Sequence, residues 1–190
     1  MKNILSIIAI AISSVAFSQV IIGDAVGTVP ATQKTSVLLE FAAGQNKGLI
    51  LPYVRTLPSG TGLVEGSIVT DATDPENATV KFYNGGTMNN GWYYLNSNSG
   101  ANITGTLATQ PDASQVTEDV NAKMIIGASS SSADGVLVLE APDKAMVLPM
   151  VNSTNDIPSP APGMMVYLNG TNKRLAVYNG KYWAYWAPAP

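Results

Sequence analysis

Short runs of β-branched, aliphatic and aromatic residues alternate with clusters of Gly, Pro, Asn, Ser and Thr along most of the chain. This punctuation predicts an all-β protein, because such runs suit a pleated, half-buried surface and such clusters supply turns. Residues 36–41 read as a strand, 44–46 as a turn, and 47–54 as a second strand whose apolar run does not alternate. A continuous run bounded by turn residues fits a strand covered on both faces, with Pro52 at a bulge or an edge. A loop over 57–66 then leads into a meander of three strands at 67–70, 79–83 and 92–95.

The second half of the chain spells nearly the same pattern. Glu40 stands opposite Glu140, Leu51-Pro52 opposite Leu148-Pro149, Gly66 opposite Gly163, Tyr83-Asn84-Gly85 opposite Tyr178-Asn179-Gly180, and Trp92 opposite Trp183. The lead-in recurs too, as Ile21-Ile22-Gly23 and Ile125-Ile126-Gly127. Strands are expected at 136–139, 146–151, 164–168, 174–178 and 182–186, with the proline-rich 158–163 as a stiff connector. Asn179-Gly180, alone between the last two, predicts a type I′ hairpin turn, since Asn and Gly tolerate positive φ. The expected architecture is two similar small antiparallel β modules, each a hairpin plus a three-stranded meander, at 19–98 and 123–190. A polar linker at 99–122 joins them, with a short helical turn near 113–120.

Residues 1–18 carry Lys2, an apolar run from Ile4 to Phe17 and small residues at Ala16 and Ser18. They read as a cleaved secretory signal, being shorter than the roughly 20 apolar residues of a membrane span. The mature chain would begin at Gln19 with no transmembrane anchor, and the lack of cysteine argues against a lipoprotein linkage. The expected location is secreted or on the outer cell surface.

Composition removes several kinds of function. With no cysteine, no disulfide supports the fold. With no histidine, the commonest general base, metal ligand and partner of a nucleophilic serine are all missing. Only 12% of residues are charged and the net charge is −3, which offers no footprint for nucleic acid or anionic lipid. The chain reads as a non-enzyme with no cofactor, no catalytic residue and no metal ligand.

Two acidic features bear on that reading. Glu40 and Glu140, at matching positions, could form a glycosidase-type carboxylate pair, but a residue repeated with its module more simply serves the module, for example by closing a turn. Asp71, Asp74, Glu76 and Asn77 crowd oxygen atoms into one loop, yet their spacing matches no known calcium loop. Among aromatic residues, alternation puts Trp92 and Tyr94 on one face and Tyr93 and Leu95 on the other. Trp183 and Tyr185 repeat the first face, which is taken as the core. The second face, carrying Tyr93, Tyr182 and Trp186, holds the candidate ligand or partner contacts, or else covers the sheet within the chain.

The order Ser-x-Leu-Leu-Glu, Lys-Gly-Leu-Ile-Leu-Pro, Pro-x-x-Gly-x-x-Val-Tyr, Val-x-x-Tyr-Asn-Gly and Trp resembles a unit of secreted surface proteins of Bacteroidetes-type bacteria. It is similar as well to units that precede the chaperone domains of phage tail fibres. Residues 36–40, 47–52 and 82–85 carry the resemblance in the first copy, and 160–167 with 177–180 in the second. Lys144-Ala145 departs from Lys-Gly, and Thr70 stands where the second copy has Tyr167. The resemblance implies a non-enzymatic structural or adhesive role, self-associating or fibre-like, with copies of itself or other surface proteins as partners. The other reading is a carbohydrate-binding module that uses the C-terminal aromatics to bind glycans. A module of this size is marginal alone, so the two are expected to dock on each other or the chain to self-associate through sheet edges.

Overall fold

The computed structural model describes residues 19–95, 100–111, 114–117, 119 and 122–186. The signal read at 1–18 lies outside the described residues. Among the described residues the protein is all-β apart from short turns of 3-10 helix and one short α-helix. The strands of the first half are β1 (Val20–Ile22), β2 (Val37–Phe41), β3 (Leu49–Ile50), β4 (Tyr53–Val54), β5 (Ile68–Asp71), β6 (Thr79–Tyr83) and β7 (Trp92–Tyr94). After the helix α1 (Thr104–Leu107) come β8 (Met124–Ile126), β9 (Leu137–Leu139), β10 (Ala145–Val147), β11 (Met150–Val151), β12 (Met164–Leu168), β13 (Arg174–Tyr178) and β14 (Trp183–Trp186).

Both meanders form. β5, β6 and β7 are antiparallel neighbours, and so are β12, β13 and β14. Each carries a short parallel strand on its outer edge, β4 on β5 and β11 on β12. The Leu-Pro step makes this possible. Proline has no N–H to give a ladder, so the long apolar run breaks there and its two ends take different partners. The proline carbonyl still serves: Pro52 O accepts from Thr70 N and Pro149 O from Tyr167 N, both at 2.9 Å.

The opening strands do not close into the expected hairpins. β2 lies between β1 and β10, parallel to both, and β8 pairs β9 in parallel. β3 turns instead to β12, antiparallel, with Ile50 opposite Met164 and Leu49 opposite Met165. The lead-in strand therefore occupies the edge that a hairpin partner would have taken. Strand pairing crosses between the halves twice, at β2·β10 and at β3·β12.

The core follows the pairing. One cluster joins Leu51, Val80 and Leu95 of the first half to Met165 and Val177 of the second, and another packs Leu38 and Leu39 against Ile126. Val166 anchors a third cluster within the second half. Leu39, Val80 and Val166 are fully buried, each contributing roughly 1.5–3 kcal/mol by removal from water.

The linker is less polar in place than in composition. Ala101 bridges Ala78, and Ala101, Ile103 and Leu107 are buried with Ala72 and Ala78. The linker region carries the helix α1; of 113–120, residues 114–117 and 119 are described, with a turn at 114–115. Arg55 Nη2 holds Leu107 O at 3.0 Å, and Gln110 Nε2 donates to Tyr53 O at 3.3 Å.

The hairpin at Asn179-Gly180 also departs from expectation. Gly180 has φ +103, but Asn179 is not among the positive-φ residues, and Tyr178 pairs with Trp183 across a longer loop. Asn179 is buried, and its Oδ1 accepts from Lys181 N at 2.9 Å and Tyr182 N at 2.8 Å. The carboxamide reinforces a turn that Asn179 N also closes through Tyr182 O at 3.1 Å, as Asn side chains commonly do.

Candidate functional site

The most extensive built surface is the one the two halves present to each other. From the first half come the edge of β2 away from β1, the edge of β3, Tyr53 and Thr70. From the second come β10, the start of β12, Pro162 and Gly163. Met146 and Val147 lie opposite Leu39 and Glu40, with a bulge after Ala145. Leu51 N donates to Gly163 O at 3.3 Å, and Tyr53 Oη donates to Pro162 O at 2.6 Å. Burial pushes the Tyr53 phenol above its ordinary pKa, which keeps it a neutral donor.

Two glycines let the halves approach. A Cβ on Gly48 would overlap the Met164 side chain, and one on Gly163, at φ +75, would overlap Thr70 Oγ1 and meet Tyr53 Cε1 at 3.4 Å. The Lys-Gly to Lys-Ala departure between the halves thus has a local cause. Gly48 is glycine because Met164 presses on it. Gly163, at φ +75 after Pro162, is the glycine that a Pro-Gly turn calls for, but nothing in the sequence ties it to the contact between the halves; for Gly48 the one available signal was that departure.

The repeated carboxylates hold loops. Glu40 is fully buried, and its carboxylate accepts from Thr28 N, from Val29 N at 2.7 Å and from Gln19 Nε2 at 2.8 Å. Glu140, half-buried, accepts from Ser131 Oγ. In each half the glutamate ties the loop between the lead-in strand and its partner, which is the turn-closing work weighed above.

The oxygen atoms of the 71–77 loop face the protein's own donors. Asp71 accepts from Thr73 N at 3.0 Å and pairs with Lys81 at 2.6 Å. Asp74 accepts from Glu76 N at 3.1 Å, and Asn77 from Gly100 N at 2.8 Å. Among the described residues no three acidic side chains converge on one point.

The aromatic residues divide differently from a plain alternation. Trp92 is buried and Trp183 half-buried, each packed on the tyrosine across the hairpin, Tyr83 at 5.3 Å and Tyr178 at 5.1 Å between ring centroids. Tyr94 and Tyr185, expected on the same core face, are exposed. A cation covers each ring instead: Lys81 at 4.7 Å and Arg174 at 4.2 Å. On the other face Tyr93 is half-buried against Phe82, 5.8 Å between centroids. Tyr182 is 50% and Trp186 58% exposed. No ring contact joins these three among the described residues. Tyr182 and Trp186 flank β14, while Tyr93 belongs to the other sheet.

No helix among the described residues is long and apolar enough to cross a membrane. No curated protein and no solved structure matches the chain. Residues 125–188, about a third of the chain and spanning β8 to β14, match the family described as the phage tail like trimerisation region. That match bears out the resemblance to phage tail-fibre units, and with the all-β fold it fits a fibre-like, self-associating structural protein.

Proposed function

We propose that this protein is a non-enzymatic, secreted structural or adhesive component of the outer cell surface, built from two copies of one β unit and acting by assembly with copies of itself. The observation that carries this reading is the match of 125–188 to a trimerisation region. The backbone pairing of β2·β10 and β3·β12 agrees with it, because it joins one unit to another through strand edges. Open sheet edges are prone to that kind of pairing. Cell fractionation with electron microscopy of the outer surface tests the reading. Filaments or a coat labelled by antibody to the protein are expected; confinement to the cytoplasmic fraction would overturn it.

The second reading, a carbohydrate-binding module, is favoured by the exposure of Tyr182 and Trp186 at the two ends of β14. An exposed aromatic face suits stacking on a sugar ring, and Trp186 offers one; Lys181 Nζ lies 5.1 Å from the centre of the Tyr182 ring. Trp186 is 58% exposed, so Trp186→Ala gives up only part of the ring's packing and is expected to cost about 1 kcal/mol of stability. Glycan-array binding by the unmodified chain, abolished in that variant, would establish this reading. No binding by the unmodified chain would dismiss it.

A further inference from the structure

The geometry points to a second, unfilled copy of the surface that joins the two halves: the outer edges of β9 and β10 accept the first half of another molecule of this chain. This rests on the self-association reading and names the surface it uses. The contact within the chain is heterologous. The first half offers one set of edges, β2 and β3, and the second half offers a different set, β10 and the start of β12. Each half, however, carries the counterparts of both sets. Among the described residues, β9, the counterpart of β2, pairs with β8 alone. Among the described residues, the start of β5, counterpart of the start of β12, has no strand matching β3 beside it.

Burial tracks the vacancy. Val37 on β2 is 6% exposed, whereas its counterpart Leu137 on β9 is 39% exposed. Leu39 and Glu40 are fully buried, but Leu139 and Glu140 are half-buried. Met164 and Met165, covered by β3, are buried; Ser67 and Ile68, in the corresponding places, are not. Gly163 presses on Thr70, while nothing lies within 4 Å of a Cβ added to its counterpart Gly66.

The side chains at the open positions are complementary in size. Within the chain, Gly48 makes room for Met164. At the open surface the pair becomes Ala145 with Ser67, the extra methyl on one side matched by the smaller residue on the other. Transferring the observed register places Leu49 opposite Leu139 and Ile50 opposite Glu140 of the neighbouring copy, and Val147 opposite Ser67. Ile50, half exposed in the single chain, would be covered. A head-to-tail contact of this kind repeats from molecule to molecule, giving a ring if the rotation closes and a filament if it does not.

The chain has no cysteine, so introduced thiols report on this pairing alone. Leu51 and Gly163 are directly opposed and hydrogen-bonded, which makes the neighbouring Ile50·Met164 pair non-hydrogen-bonded, the close spacing that a disulfide spans. Its counterpart between copies is Val147·Ser67. Full-length Ser67→Cys and Val147→Cys chains are mixed, oxidised and run on a non-reducing gel. A two-chain band in the mixture, absent from either variant oxidised alone, is expected. The Ile50→Cys/Met164→Cys chain, oxidised in parallel, should bridge internally without gaining mass, showing that thiols on this scaffold report strand pairing. No two-chain band in the mixture, with the internal bridge formed, would overturn the assignment. If light scattering still found assemblies in that case, the self-association reading would survive on another surface. If it found only monomers, both would fall.

Discussion

Gly163→Ala is expected to lower the stability of the single chain by about 3 kcal/mol, and the same change at Gly66 by only about 1 kcal/mol. Both glycines sit in the left-handed region, at φ +75 and +91, so each alanine carries a backbone penalty. Only Gly163 carries a second one. Its new methyl would overlap Thr70 Oγ1, and Thr70 is buried with no room to retreat. The strain falls on the contact between the halves: Leu51 N to Gly163 O and Tyr53 Oη to Pro162 O lie on either side. Urea unfolding of both variants at a concentration where chains are separate measures the difference. Equal losses would mean that the halves do not press together at this point.

Asp71→Ala should cost about 3 kcal/mol, because it strands the Lys81 ammonium in a site where little water reaches it. The two side chains are 11% and 14% exposed, and the ion pair is 2.6 Å long. Burial by itself would raise the Asp71 pKa, but hydrogen bonds from Lys81 and Thr73 and the Lys81 charge outweigh it and hold the carboxyl below its ordinary value. The sign of the pH effect follows. The folded chain binds this proton less readily than the unfolded one, so the stabilisation is complete above the unfolded pKa of about 4. It fades as pH falls through the lower folded value. Urea midpoints taken from pH 6 down to pH 3 should therefore drop more steeply for the unmodified chain than for Asp71→Asn. Parallel curves would show that the pair adds no pH-dependent stability. Lys81 also lies over the Tyr94 ring, so the lysine keeps one partner and the loss stops short of the largest values seen for buried pairs.

The meander strands were readable because their information is local. Residues 79–83, 164–168 and 174–178 are short β-branched or aromatic runs bounded by turn residues, and β6, β12 and β13 have those bounds. The partner of an apolar run such as Leu49 to Leu51 is not local information. Nothing in its periodicity separates a hairpin with residues 37–41 from a ladder with a strand more than a hundred residues later. The turn at Asn179 follows a side chain's hydrogen bonds, not the dipeptide's backbone preference, and alternation places Tyr94 and Tyr185 in the core because it takes no account of a covering cation. Ile103 and Leu107 were passed over inside a polar stretch because two apolar residues do not make a periodic pattern. At the candidate surface, the carboxylate–loop ties at Glu40 and Glu140 were anticipated from their repetition. The edges that join the halves became visible only with the pairing.

Multi-angle light scattering of the chain from residue 19 onward, across a wide concentration range, tests self-association most directly. Masses at whole multiples of the chain, growing with concentration, are the expected result. A single species with the mass of one chain at every concentration would contradict it.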